Sequence, residues 1–194
     1  GNATHHNNIT VNGNYDEVYG GHTSGMSNMG VEQKNSHDNT VTITGGTLGK
    51  VYGGYTDAAD GTTENNTVNL GDGTNPLAPG SMVAEIHGGN KSAKGNTLNV
   101  NTAATVGKIE NFSKVMFKTD TAKLTLTQAG ANFDLDTIAA DFGATENEVT
   151  LVENAGGLTL AGGKTFKSDL STVGTQTRET NLDVRDGNKK IVRY

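Results

Sequence analysis

The chain has 194 residues, a formal net charge of −6, only 32% hydrophobic residues, two prolines and no cysteine. Disordered chains of low hydrophobicity normally carry high net charge and much proline, so this composition instead favours many short strands joined by tight turns. Disulfide stapling is excluded, and the absence of a basic cluster argues against nucleic-acid binding. No apolar run approaches the length of about 18 residues that a membrane-spanning helix needs.

Four strings in the first hundred residues share one pattern, an asparagine followed by alternating apolar and polar residues. They begin at Asn7, Asn39, Asn66 and Asn96, so successive asparagines lie 32, 27 and 30 residues apart. A period of this size is typical of repeat proteins. Because Gly, Asn and Thr dominate and no helical stripe is present, helical repeats are excluded and each repeat is predicted to be a coil of β-structure.

A second string follows each asparagine string. It reads VYGGHT from Val18, VYGGYT from Val51, IHGGNK from Ile86 and a degenerate IENFSK from Ile109. Each repeat therefore predicts two short strands in a fixed order, and stacking of the repeats about 4.8 Å apart would give a parallel β-solenoid. Stacking would also align equivalent apolar residues in two interior columns: Val11, Ile43, Leu70 and Val100 in one, and Val18, Val51, Ile86 and Ile109 in the other.

The same alternation predicts what faces outward. If Val18 and Val51 point inward, Tyr19 and Tyr52 point outward and stack, and His87 continues their column. The glycine pairs are expected to keep the wall thin or to bend it through positive φ. The asparagine that begins each string is expected to join a side-chain ladder at a corner, in left-handed geometry.

Inserts of unequal length separate the repeats and are predicted to project from the solenoid edges. The longest follows the first VYGG string and contains Met26 and Met29, and another, GDGTNPLAPGS, spans 71–81 and precedes Met82. Loops on a rigid scaffold are common binding sites, and methionines there could contact a partner.

The composition changes near residue 112. Of the 27 glycines, 19 lie at or before Gly107, and the remainder of the chain has longer, more apolar strand patterns. We therefore divide the sequence into Gly/Asn-rich repeats at 1–111 and a solenoid continuation with a C-terminal β-hairpin cap at 112–194, forming one continuous domain. A cap is expected because a bare last coil exposes strand edges. DLDTIAADFGA, from Asp134, is expected to hold a helical turn.

The pattern NTVTITGG…KVYGGYT…NNTVNL resembles the passenger domains of bacterial autotransporters, the type V secretion proteins. The closing NEVTLVENAGGLTLAGGKTF…TNLDVRDGNKKIVRY is similar to the C-terminal stretch of such passengers. This resemblance implies a right-handed parallel β-helix, displayed on the outer membrane or secreted by a Gram-negative-type bacterium. It also implies an autochaperone-like C-terminal part, with membrane attachment only through a barrel domain that this sequence lacks.

The outward aromatic column is the main candidate binding surface. Aromatic side chains in a row on a flat wall can contact sugar rings or protein, although mutual stacking by itself accounts for the column and is the favoured explanation. His22 and Tyr55 occupy matching places in successive repeats and extend the candidate site formed by Tyr19, Tyr52 and His87. A cross-repeat ion pair between Glu17 and Lys50 is also predicted.

No cofactor or metal is expected, since the histidines lack zinc-ligand spacing and the acidic turns match no calcium-loop pattern. No GxSxG string is present, and no carboxylate pair can be argued for hydrolysis. The expected function is therefore that of a non-enzymatic adhesin or interaction scaffold. Its expected partners are host glycan, host protein or sister passengers by self-association. The alternative is a polysaccharide-processing β-helix enzyme, a lyase or hydrolase.

Overall fold

The structure is a computed structural model that describes residues 4–24, 32–143, 145 and 147–194. These residues form an all-β architecture, with three short 3₁₀ helices at Glu32–Lys34, Leu135–Thr137 and Ala161–Gly163. The first ten strands are β1 (Thr4–His5), β2 (Asn8–Asn12), β3 (Tyr15–Tyr19), β4 (His22–Thr23), β5 (Ser36–His37), β6 (Thr40–Gly45), β7 (Thr47–Thr56), β8 (Thr67–Leu70), β9 (Met82–Gly89) and β10 (Thr97–Val100). The remaining strands are β11 (Ala103–Glu110), β12 (Lys114–Phe117), β13 (Lys123–Leu126), β14 (Ala131–Phe133), β15 (Ile138–Ala140), β16 (Val149–Glu153), β17 (Leu158–Leu160), β18 (Phe166–Val173), β19 (Gln176–Arg185) and β20 (Lys190–Arg193).

The four asparagine strings form β2, β6, β8 and β10, which β12 and β15 extend into one six-stranded parallel sheet in the order β15-β12-β10-β8-β6-β2. Val11 lies opposite Ile43, Ile43 opposite Leu70, and Leu70 opposite Val100, which confirms the first predicted column. The register continues to Phe117, which is fully buried. The column is apolar because period-two alternation turns every second side chain of these strands inward.

The second strings lie in β3, β7, β9 and β11, which β13 and β16 extend into the parallel part of a larger sheet, in the order β16-β13-β11-β9-β7-β3. Val18, Val51, Ile86 and Ile109 align across it as predicted, although Ile109 is only partly buried. The chain thus alternates between the two sheets, and one hydrophobic cluster extends from Val11 to Ile191. An all-β fold with parallel sheets is therefore present, and its topology is compatible with a β-solenoid.

An asparagine ladder runs along one corner of the stack, as the sequence predicted. The Oδ1 atom of Asn39 accepts from the backbone N–H of Asn7 at 3.2 Å. Asn66 Oδ1 accepts from the backbone of Asn39 at 3.0 Å, and Asn96 Oδ1 accepts from that of Asn66 at 2.9 Å. Because Asn39, Asn66 and Asn96 are all fully buried, the last two of these bonds satisfy backbone donors that water cannot reach.

The left-handed geometry expected of the ladder asparagines belongs to the residue before them. His6, Asp38 and Asn65, which precede Asn7, Asn39 and Asn66, have φ of 56°, 55° and 57°. This residue makes the corner turn, and the next asparagine is thereby placed to bond along the stack.

Of the two roles expected of the glycine pairs, they keep the wall thin but do not bend it through positive φ. None of the glycines in the three GG strings has a positive φ. They are required because the wall passes close to the ladder. A Cβ on Gly53 would lie 2.8 Å from Cβ of Asn66 and 2.7 Å from the carbonyl oxygen of Gly88. The ladder and the glycine pairs therefore depend on each other.

Hairpins close the C-terminal end of the larger sheet. β20 pairs antiparallel with β16, β19 with β20, and β18 with β19. The expected helical turn lies at Leu135–Thr137, where the Oδ1 atom of Asp134 accepts from the backbone N–H of Asp136. Two-stranded parallel ladders, β1–β5 and β14–β17, complete the strand pairing.

The inserts are only partly defined. Met26 and Met29 lie outside the described residues, whereas Met82 begins β9 and is half-buried in a strand instead of a loop. Among the described residues, no helix is long and apolar enough to cross a membrane.

Replacing Asn66 with Ala tests the ladder. The substitution removes the acceptor used by the Asn39 backbone and the donor to the Ser36 carbonyl, leaving buried polar groups unpaired. We expect the free energy of unfolding to fall by about 1–3 kcal/mol in chemical denaturation. Asn132→Ala, at an exposed position, is the control and should change it by less than about 0.5 kcal/mol. Equal effects of the two variants would contradict a stabilising role for the ladder.

Candidate functional site

The five residues predicted as a candidate site do come together, on the wall formed by β3, β4, β7 and β9. Tyr19 lies opposite Tyr52 and Tyr52 opposite His87 in the strand register. The Tyr19 and Tyr52 rings stack with centroids 5.5 Å apart, and those of Tyr52 and His87 stack at 4.6 Å. The predicted column is therefore confirmed as a face-to-face stack.

A second, shorter column packs against the first. His22 lies opposite Tyr55, and their rings meet edge to face at 4.9 Å. The Tyr55 ring also meets the rings of Tyr19 and Tyr52 edge to face, at 5.1 and 5.0 Å. We call these five residues the aromatic cluster.

The packing determines which parts of the rings a ligand could reach. Each stacked ring covers the face of its neighbour, so the faces predicted to bind sugars are largely occupied within the column. The three tyrosines are half-buried, and His22 is exposed. In the described part of the chain, the hydroxyl groups of Tyr52 and Tyr55 make no hydrogen bond. The cluster therefore presents ring edges and two unpaired hydroxyl groups, a combination that suits an amphipathic ligand.

His87 continues the column as predicted, but neighbouring side chains on the wall cover it, and this residue is only 6% exposed. Tyr52 covers one face of its ring, and the next residue in the register is Glu110. Its Nε2 lies 3.1 Å from Oε1 of Glu85, and its Nδ1 lies 3.5 Å from Oε2 of Glu110. His87 therefore joins the aromatic cluster to a set of charged residues.

Those charged residues form a closed arrangement. Nζ of Lys108 lies 2.9 Å from Oε1 of Glu110 and 3.4 Å from Oε1 of Glu85. We call Glu85, His87, Lys108 and Glu110 the charged network. Because a carboxylate only accepts hydrogen bonds, the Nε2–H tautomer of His87 is the one that can bond to Glu85.

Burial lowers the pKa of His87, and this outweighs the opposing effects of the hydrogen bond to Glu85 and of the charge of Glu110. Burial also acts to raise the pKa of Glu85, but the hydrogen bond from His87 and the charge of Lys108 lower it overall. The hydrogen bond to Glu110 raises the pKa of Lys108. The network thus favours a neutral imidazole between two carboxylates, with a cationic lysine.

The tyrosines also have raised pKa values. The hydrogen bond from Tyr19 to Oε2 of Glu17, 2.5 Å long, raises the pKa of Tyr19, and burial adds to it. Burial is the largest cause of the raised pKa of Tyr52, followed by the charge of Tyr55. Both hydroxyl groups therefore stay protonated at neutral pH and can donate.

The predicted ion pair between Glu17 and Lys50 does not form. The two residues are opposite each other in the register, as expected. However, Glu17 accepts from Tyr19, and exposed Lys50 makes no ion pair within the described residues. A register match places two side chains near each other but does not decide which partner each one takes.

A cleft of about 400 Å³, missed by the sequence analysis, adjoins the charged network. Glu110 and Asp134 are the acidic residues of its lining, and Phe112 and Phe133 are among its apolar residues. Asp134 also caps the following 3₁₀ helix. These residues come from different coils, and no local motif connects them. The one sequence signal in this region is the alternation of apolar and polar residues around Phe133, which is typical of a strand.

Three histidines meet elsewhere, at the β1–β5 ladder. The rings of His5 and His37 stack at 5.2 Å, and His6 lies 5.0 Å from His5. In the described ranges, no group of three or more His, Asp or Glu residues is arranged to hold a metal ion. In the acidic insert, Oδ1 of Asp72 accepts from the backbone of Thr74 and Asn75, as in an ordinary turn.

No protein family, curated protein or solved structure was found to match this chain. Arguments about its function therefore depend on its own residues and geometry.

The lowered pKa of His87 predicts a pH dependence of stability. A histidine that is harder to protonate when folded contributes stability that is fully present above its unfolded pKa, about 6.5, and is lost as the pH falls toward the lower folded value. We expect the free energy of unfolding to fall more between about pH 7 and about pH 5 in the parent than in His87→Gln. Chemical denaturation at several pH values measures both slopes, and parallel slopes would refute the prediction.

Proposed function

We propose that this chain is a segment of a non-enzymatic interaction scaffold, built as a right-handed parallel β-helix and displayed on, or secreted from, a bacterial surface. Three features support the proposal: the parallel register of both large sheets, the buried asparagine ladder, and the resemblance of the repeats to autotransporter passengers. Right-handed crossovers are the rule for parallel strands that are joined within one sheet. The hairpins that end the larger sheet agree with a C-terminal cap.

The ligand surface in this proposal is the aromatic cluster, and the expected ligands are host glycan or host protein. The observation that carries it is the gathering of five rings on one wall, with the Tyr52 and Tyr55 hydroxyl groups unpaired. Tyrosine is enriched at recognition surfaces because it combines apolar area with a hydrogen-bonding tip. Ring edges can pack against the apolar faces of sugars while the hydroxyl groups bond to sugar hydroxyls.

A glycan array with matched variants tests this function. We expect Tyr19→Ala combined with Tyr52→Ala to weaken binding to any glycan the parent captures by about tenfold or more, because two ring edges and one unpaired hydroxyl are lost. Tyr15→Ala is the control, since Tyr15 is 55% exposed on the same strand as Tyr19 but lies outside the cluster. Circular dichroism should show that both variants keep the parent's β-structure. Unchanged glycan binding by the double variant would mean that the aromatic cluster serves only in packing.

A second candidate function has one specific observation in its favour. Glu110 and Asp134 both belong to the lining of the cleft beside the charged network, and a pair of acidic residues is what glycoside hydrolysis requires. This arrangement supports the alternative of a polysaccharide-processing enzyme.

A product assay distinguishes the two functions. Incubation of the parent with polysaccharides should release neither reducing nor unsaturated sugar ends if the chain is a scaffold. Release that is abolished by Glu110→Gln and by Asp134→Asn would replace the scaffold proposal with the enzyme. Gln128→Glu is a surface control in that case, because position 128 is exposed and lies outside the cleft lining.

A further inference from the structure

The outermost strand of the larger sheet, β18, has an edge that pairs with no other strand in the described residues. It also carries two large apolar side chains in solvent, since Phe166 is 48% exposed and Leu170 is 73% exposed. Natural proteins normally protect such an edge, because its free N–H and C=O groups invite another strand. Here no strand of the described structure protects it.

The hydrogen bonding of β18 shows which of its backbone groups are free. The backbone N–H of Val184 donates to the Thr165 carbonyl at 2.9 Å, and Phe166 lies opposite Asp183. In an antiparallel ladder this places the odd-numbered residues of β18 toward β19. The backbone groups of Phe166, Ser168 and Leu170 therefore point to the open edge.

The side chains from Phe166 to Leu170 also point alternately to the two faces of the sheet. Lys167 lies opposite Leu182, which is buried, so the side chains of Lys167 and Asp169 lie on the face of the sheet that is turned to the body of the protein. Nζ of Lys167 accordingly donates to the Ile138 carbonyl and lies 3.4 Å from Oδ2 of Asp169. Phe166, Ser168 and Leu170 share the opposite, solvent-facing side because side chains alternate along a strand.

We propose that β18 pairs antiparallel with β18 of a second copy of this chain, about a two-fold axis at Ser168. This register puts Ser168 opposite Ser168 of the second copy, and Phe166 opposite its Leu170. All of these residues have outward backbone groups, so they form hydrogen-bonded pairs. The exposed phenylalanine and leucine then cover each other twice, once on each side of the axis.

Charge selects this register over its neighbours. With the axis at Ser168, Lys167 lies opposite Asp169 of the second copy, and the same pair recurs across the axis. Moving the axis one residue toward the C-terminus puts Asp169 opposite its own copy, and moving it the other way puts Lys167 opposite its own copy. Opposite charges stabilise a directly facing pair and like charges destabilise it. The strand is therefore self-complementary in only one of these three registers.

This dimer is independent of the proposed ligand surface. In the order of the larger sheet, β18 stands at one end, and β7 and β3, which carry Tyr52 and Tyr19, stand at the other. A variant that abolishes dimerisation should thus leave glycan binding intact, and failure of one proposal does not imply failure of the other.

Cysteine cross-linking tests the register directly, because the chain has no cysteine of its own. Cα atoms of a hydrogen-bonded antiparallel pair lie about 5.5 Å apart, within disulfide range. We expect Ser168→Cys to form a disulfide-linked dimer under mild oxidation. Thr172→Cys, on the same outward edge but four residues from the axis, is the matched control and should remain monomeric. Cross-linking of Thr172→Cys equal to that of Ser168→Cys, or none with either, would overturn the register.

Sedimentation of the unmodified chain tests the dimer itself. We expect a concentration-dependent dimer that weakens by about tenfold or more in Leu170→Ser and in Lys167→Asp. The double variant Lys167→Asp with Asp169→Lys should recover pairing, because it reverses both charges and restores complementarity. Leu170 is exposed, so Leu170→Ser keeps the test valid if the charge variants fold poorly. A parent chain that stays monomeric at about 100 µM would overturn the proposal, since even weak dimers form at such concentrations.

Discussion

The register of the parallel strands depends on the corner asparagines, because their buried polar groups find hydrogen-bond partners only in this alignment. Asn39, Asn66 and Asn96 are fully buried, and each accepts a hydrogen bond from the coil before it or passes one to the coil after it. A one-residue slip would leave these amides unpaired and would turn the apolar columns outward. The ladder therefore fixes the register, and the register fixes everything that lies on the walls.

The aromatic cluster is a consequence of that register. Identical strings in successive coils superimpose Tyr19 on Tyr52, and the close passage of the wall beside the ladder admits only glycine after them. Because the stacked rings cover one another's faces, a ligand would have to contact the ring edges and the hydroxyl groups. At His87 the column passes into the charged network, where burial and two carboxylates act on the imidazole in opposite directions. The stacked rings and the charged network therefore meet at His87, on one wall.

The last coil shows how a stack of this kind ends. Antiparallel strands cover the edge of β16, which a further parallel coil would otherwise occupy. With these antiparallel strands added, the unpaired edge of the sheet lies at β18 instead of at β16. A short, twisted or highly charged strand would close the sheet. β18 instead combines exposed apolar residues with one lysine and one aspartate placed symmetrically about Ser168.

The sequence by itself determined the architecture, since period-two strings repeated near 30 residues predict strands, their order, both apolar columns and the ladder. It also brought together all five residues of the aromatic cluster, because equivalent positions in a regular stack must be neighbours. Tertiary structure alone decided the burial of His87, the partner of Glu17, the cleft and the free edge of β18. These features depend on side-chain conformation and on contacts between non-equivalent coils, for which a repeat period carries no information.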